Sequence, residues 1–283
     1  IALTLADTYA PEDLDLMVLD LGTRELAPLG DLPHTAAYVG AGSGTREQQV
    51  RFLKLIRTEL DRRRSAPGPH RKMIILIDGL GVLKDEYDDF EGLKLLDGLY
   101  RVFSDGPDVS MWTAITTSRS KAVPSAVEEV ATQRWLFRLA DPYDYSISGV
   151  PTKLAPPPIP GRCVLAETKL HAHVATADGT LPETVAMISK RWGEVTPKPQ
   201  VVGQLPTSVT VTELGTPARL ETEPWRLPVG IRESDLGVAE LEVFEGEHVM
   251  ICGPARSGKS PLLLAVDELV RAQGATVWGV CGR

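Results

Sequence analysis

Apolar positions along the 283 residues fall into two alternating patterns. Residues 15–20 (DLMVLD) and 73–78 (MIILID) are short continuous apolar runs ending in an acid, the pattern of strands covered on both faces. Between them, Val50, Leu53 and Leu60 recur at helical spacing in residues 46–64, and Ser65-Ala-Pro-Gly-Pro69 stops that helix. After an acidic loop the same alternation predicts a helix at 88–103, a strand at 109–116, a short helix at 124–132 and a strand at 134–139. Strands alternating with helices specify an α/β fold with a parallel sheet.

Residues 151–160 hold five prolines and predict an extended surface run. Short strands at 162–165 and 169–175 and a helix at 182–192 follow. Six prolines between Thr196 and Pro228 mark a linker, in which residues 208–211 could form a strand. A second module begins near Trp225, with strands at 240–244 and 248–252, a helix at 258–273 and a strand at 276–280. The expected organisation is a first module over 1–195, a linker over 196–224 and the start of a second module over 225–283.

The second module carries the sharpest chemistry. Gly253-Pro254-Ala255-Arg256-Ser257-Gly258-Lys259-Ser260 satisfies GxxxxGK[ST], the Walker A phosphate loop, between an expected strand and an expected helix. Glycines let the backbone N–H groups curl inward around phosphate oxygens, and the helix N-terminus adds partial positive charge. Lys259 would reach the β- and γ-phosphates of ATP, and the Ser260 hydroxyl would ligate Mg²⁺. Pro261, in the first turn, removes one possible donor beside the phosphates.

In the first module, the run ending at Asp78 is a Walker B pattern that delivers a carboxylate to the sheet edge as a second Mg²⁺ ligand and catalytic candidate. Gly79 stands where a hydrolytic site usually places a glutamate, and Asp85 and Glu86 are too far along to replace it. Arg119, Arg134 and Arg138 are candidates for arginines acting across a boundary, although ion pairs with acids such as Glu128 or Asp141 are the plainer expectation. His171 and His173 share one face of a strand without an evident third metal ligand. The basic residues between Arg62 and Lys72 read as a solvated helix end rather than a nucleic-acid contact.

Composition narrows the picture further. Net charge is −8, which disfavours a surface dominated by nucleic acid or anionic lipid. Three dispersed cysteines, Cys163, Cys252 and Cys281, form no paired disulfide framework and suit a reducing cytoplasm. The longest strongly apolar run is far shorter than a membrane span, and the N-terminus lacks the pattern of a signal peptide, so a soluble segment is expected.

Several segments, in order, carry a family resemblance. Thr8-Tyr-Ala-Pro11-Glu12, Leu19-Asp20-Leu-Gly22, Leu32-Pro33-His34, Ile77-Asp78-Gly79, Glu86-Tyr87, Thr117-Ser-Arg119, Arg138-Leu-Ala-Asp141-Pro142 and Pro160-Gly161-Arg162 resemble the middle of an FtsK/SpoIIIE-type ATPase domain. The resemblance is to the later, degenerate ATPase domains of EccC-type proteins, the multi-domain motors of type VII secretion. Leu227-Pro-Val-Gly230-Ile231 through the phosphate loop resembles the start of the next domain in such a tandem.

The resemblance implies RecA-like P-loop NTPase modules, here incomplete: the rear of a degenerate domain whose own P-loop would precede residue 1, then the front of its neighbour. It further implies neighbouring ATPase domains in the same chain, hexamer formation, a protein substrate's signal peptide as partner, and a cytoplasmic location with any membrane anchor outside this segment. A Gln often found after the sensor strand is absent from Thr116-Thr-Ser-Arg119. Little or no ATP turnover by this segment alone is therefore expected. Two rival readings are a DNA translocase of chromosome segregation or conjugation, and a non-catalytic docking or regulatory module with degenerate nucleotide sites.

Overall fold

The computed structural model describes residues 1–40, 45–118, 123–193, 202–203, 205–215, 223–233 and 236–279. They divide into two compact units, Ile1–Val202 and Gly203–Arg283.

The first unit is built on four parallel strands, β1 (Leu14–Asp20), β2 (Thr35–Gly40), β3 (Lys72–Asp78) and β4 (Met111–Ile115), in the order β2-β1-β3-β4. All seven residues of β1 are buried, as the apolar run requires of a strand covered on both faces. Alternate side chains divide between two cores. Met17 and Leu19 of β1 with Ile75 and Ile77 of β3 pack on Phe52, Leu53, Ile56 and Leu60 of α2 (Thr45–Ser65) and on Leu96, Leu99 and Val102 of α4 (Phe90–Asp105). Leu14, Leu16 and Val18 pack on the opposite side against Ala2 and Ala6 of α1 (Ala2–Thr8) and Val185 and Ile188 of α7 (Leu181–Trp192). Each fully buried Leu or Ile contributes roughly 1.5–3 kcal/mol by leaving water.

Helix boundaries follow local chemistry. The Asp89 side chain accepts from the Gly92 N–H and starts α4, and Thr180 with Glu183 forms a reciprocal capping box on α7. The acidic loop expected after β3 is instead α3 (Leu80–Glu86), because Leu80, Leu83 and Tyr87 recur at helical spacing and are buried.

The basic stretch after α2 is neutralised internally. Arg62 pairs with Glu59, Arg64 with Asp105 and Arg71 with Asp15. Arg63, only 2% exposed, pairs with Glu59 and donates to the carbonyls of Arg71, Val109 and Ser110 at 2.8, 3.0 and 3.2 Å. Burial is tolerable because Nε pairs with a carboxylate and Nη1 with backbone carbonyls.

Beyond β4 and α5 (Ser125–Val130), a three-stranded antiparallel sheet has the order β5-β6-β7, from β5 (Trp135–Leu136), β6 (Arg162–Leu165) and β7 (His171–His173). The strands expected over 134–139 and 169–175 are thus shorter, and the proline-rich stretch holds one 3-10 turn at Thr152–Leu154. Tyr145 of α6 (Tyr143–Ile147) anchors this sheet's core with Val150 and Val164, its hydroxyl donating to Phe137 O at 2.9 Å.

Among its described residues, the second unit contains an antiparallel pair, β8 (Trp225–Ile231) and β9 (Val238–Val243), and one α-helix, α8 (Lys259–Ala272). Leu227, Leu269 and Val270 form its small core. Residues 208–211 do not form the expected strand; Val211–Leu214 is a 3-10 turn. Much of the expected linker, 194–201, 204 and 216–222, lies outside the described residues.

Candidate nucleotide-binding site

Residues 253–260 leave an extended stretch and turn into α8. Two residues in the left-handed region make the turn, Arg256 with φ 63° and Gly258 with φ 92°. Gly258 is the N-cap and no side chain caps the helix, so its first N–H groups have no acceptor within it. At Gly253 a Cβ would stand 2.6 Å from Ser257 Oγ, so any larger residue would force the serine hydroxyl to turn away. Lys259 Nζ folds back and donates to Gly253 O at 2.8 Å, Pro254 O at 2.6 Å and Ser257 Oγ at 3.5 Å. These partners are all loop atoms, and no carboxylate pairs with the ammonium among the described residues.

The strands expected on either side of this loop are corrected by the structure. Residues 248–252 and 275–279 are not in any ladder. Their apolar runs describe what a strand would bury, but a strand also needs a neighbour's backbone to bond with, and neither run is bonded in a ladder among the described residues.

Asp78 lies in the first unit, at the C-terminal end of β3. The chain runs from β1 to β2 on one side of the sheet and then returns to β3 on the other side of β1, so the topological switch point falls between β1 and β3. Open α/β sheets place ligands outside the carboxyl ends of their strands at such a point. Asp20 and Asp78 stand opposite each other in the β1–β3 register there. Asp78 Oδ1 accepts the Thr116 hydroxyl at 2.5 Å, and Thr116 Oγ1 accepts the Gly79 N–H at 3.1 Å. Gly79 adopts φ 88°, and a Cβ at Gly22 would fall 2.0 Å from Asp78 Oδ2. The carboxylate therefore lies in a cradle that only glycine leaves open.

Asp20 is fully buried. Its Oδ2 accepts from the Leu26 N–H and the Tyr38 hydroxyl, both at 3.1 Å, while Oδ1 has no partner. Burial, then the Asp20 carboxylate, pushes the Tyr38 phenol up to about 12, which keeps it a donor at neutral pH. Sequence reading missed Asp20, Gly22 and Thr116 as parts of this edge. A signal was present for the first two: both central strands end in an apolar run and Asp, with glycine one or two residues on.

Of the candidate arginines, Arg134 is held by Glu128 and Glu167, both at 3.0 Å. Arg138 is exposed, and Arg119 lies outside the described residues. His171 and His173 are exposed on β7, and no cluster of three or more His, Cys, Asp or Glu forms a metal site among the described residues. No helix among them is long and apolar enough to cross a membrane.

No protein-family model matches the chain. It is 26% identical to the ESX secretion system protein YukB of Bacillus subtilis, a match that covers 94% of this chain and 19% of that protein. It is 24% identical to the ESX-1 secretion system protein EccCb1 of Mycobacterium tuberculosis, covering 96% of this chain and 51% of the relative. Among solved structures, the Thermomonospora curvata EccC ATPases 2 and 3 in complex with a signal sequence peptide superpose with a TM-score of 0.75 at 21% identity, over 95% of this chain and 52% of that one. EssC ATPases 2 and 3 of Geobacillus thermodenitrificans give a TM-score of 0.72 at 20% identity, over 96% and 56%. The chain spans a fifth to a half of the curated relatives it matches, with 19% and 51% of their lengths covered. The chain is thus similar in sequence to ESX secretion system proteins and has the α/β fold of the EccC and EssC ATPase domains.

Proposed function

We propose that this chain is a nucleotide-binding segment of a type VII secretion motor, with residues 253–260 as a Walker A loop that holds ATP and Mg²⁺. One observation carries the reading: an uncapped helix N-terminus and an ammonium bonded only to loop atoms meet at Lys259. These donors suit a polyphosphate, which would take over the lysine from the loop carbonyls. The Ser260 hydroxyl, exposed at the second position of α8, is the loop's Mg²⁺ ligand. Bound Mg²⁺ would neutralise phosphate charge; the chain's own part is to orient and hold the phosphates.

In the first unit, Asp78 is the candidate carboxylate that would hold Mg²⁺ at the neighbouring module's degenerate site. Gly79 rather than a glutamate follows it, and Thr116 already occupies one of its oxygens, so the residue that usually polarises an attacking water is missing beside Asp78. We expect the segment to bind nucleotide with little or no turnover alone, and to act through neighbouring ATPase domains, in a hexamer, on a protein substrate. The signal sequence peptide in the complex with Thermomonospora curvata EccC supports a peptide as that substrate's recognised part.

Titration of a fluorescent ATP analogue into the chain and into Lys259→Ala tests the reading. Saturable binding weakened about tenfold or more by the substitution is expected. Equal binding by both forms would overturn it, and robust turnover abolished by Lys259→Ala would overturn the non-hydrolytic part.

A further inference from the structure

The antiparallel sheet of the first unit holds a cationic arrangement that the nucleotide chemistry does not use. Arg162 on β6 lies directly across the ladder from His173 on β7, and the side chains of such pairs share one face with Cβ atoms about 4.5–5.5 Å apart. Val164, two residues on and so on the same face, is fully buried in the core around Tyr145. The stem of Arg162 thus runs along an apolar surface. Its Nε is buried without a hydrogen-bond partner, and the guanidinium has no ion pair among the described residues.

Backbone geometry brings the imidazole in. Gly161 adopts φ 81°, and a Cβ there would meet the His173 ring at 3.1 Å. Glycine before Arg162 therefore lets the ring lie against the turn. Arg138, two residues beyond Leu136, which pairs with Val164, is exposed and also lacks an ion pair among the described residues. Glu167 and Glu128 hold Arg134, and Asp141 Oδ1 accepts the Tyr143 N–H at 2.8 Å. A guanidinium half-removed from water with an orphaned donor is costly unless an acceptor arrives.

We propose that Arg162 and His173, with Arg138 at the rim, form an oxyanion subsite that takes a phosphate group. The guanidinium fork offers parallel N–H donors matched to phosphate oxygens, and the imidazole adds a further donor. Neither the phosphate loop nor Asp78 contributes to it, so its success does not depend on nucleotide binding at Lys259.

The test is an NMR titration of the isotope-labelled chain with inorganic phosphate at constant ionic strength, reading the Arg162 Nε–H and His173 ring signals. Saturating shifts are expected, weakened about tenfold or more in Arg162→Gln and about fivefold in Gly161→Ala, which displaces the ring. Arg162→Lys keeps the charge without the fork and is expected to bind about tenfold more weakly, which guards against loss of fold in the Gln variant. Parallel titrations separate the sources. ATP binding at these signals that persists in Lys259→Ala supports a nucleotide phosphate, and a response to phosphate or a phosphoserine peptide without ATP supports a phosphorylated partner. Shifts that stay linear as with chloride, that are unchanged in Arg162→Gln, or that saturate as well with malonate would overturn the phosphate subsite.

Discussion

Thr116 donates its hydroxyl to Asp78 at 2.5 Å and, through the same oxygen, accepts the N–H of Gly79. The end of β4 thereby closes over the turn that follows β3. Thr116→Val keeps the shape and removes the hydroxyl, so a loss of about 1 kcal/mol is expected in urea unfolding. Amide exchange at Gly79 should accelerate, and unchanged exchange there would count against the bridge.

Gly22→Ala is the sharper perturbation of the same edge. The new Cβ would lie 2.0 Å from Asp78 Oδ2, and the carboxylate must turn away or the backbone must move. A loss of about 1–3 kcal/mol is expected, the usual cost of overpacking. Combining it with Thr116→Val should give less than the sum, because both changes release the same carboxylate. Strict additivity would show that the two residues act apart.

Nucleotide affinity offers a third check. Pro261 lacks an N–H in the first turn of α8, beside the loop. Pro261→Ala restores that donor where the helix has unpaired N–H groups, and about threefold tighter binding of the ATP analogue is expected. Weaker binding would mean that the ring's fixed φ matters more to the loop than the missing donor.

His34 makes stability depend on pH. It is buried, its Nε2 lies 2.9 Å from Tyr9 O, Nδ1 has no partner, and its ring meets Trp192 edge-on at 6.0 Å. Burial holds its pKa below the usual imidazole value of about 6.5. A depressed folded value means that the unfolded chain binds the proton more readily. The contribution is therefore complete above pH about 6.5 and is lost as pH falls below it. Urea unfolding of the chain and of His34→Gln from pH 7.5 to 5.5 should show a steeper decline in the former. Parallel curves would exclude His34 as the source.

The central strands were legible because each is a continuous apolar run, and α2, α7 and α8 because their apolar residues recur at helical spacing. β2 was not, since Thr35-Ala-Ala-Tyr-Val-Gly40 has small residues and no strong run; it becomes a strand by pairing with β1. The opposite error occurred at 248–252, where a convincing run has no ladder. Local pattern reports what a segment can bury, whereas a strand is a relation between segments. The same limit hid Asp20. Its position beside Asp78 follows from register, which neither strand carries alone.

Arg63 has a further consequence. One guanidinium grips the chain just before β3 at Arg71 and the chain just before β4 at Val109 and Ser110, all from the last turns of α2. The amino ends of these two strands and the last turn of α2 are thus tied together through a single side chain. This tie lies at the end of the sheet opposite Asp20 and Asp78, the carboxylates at the far ends of β1 and β3.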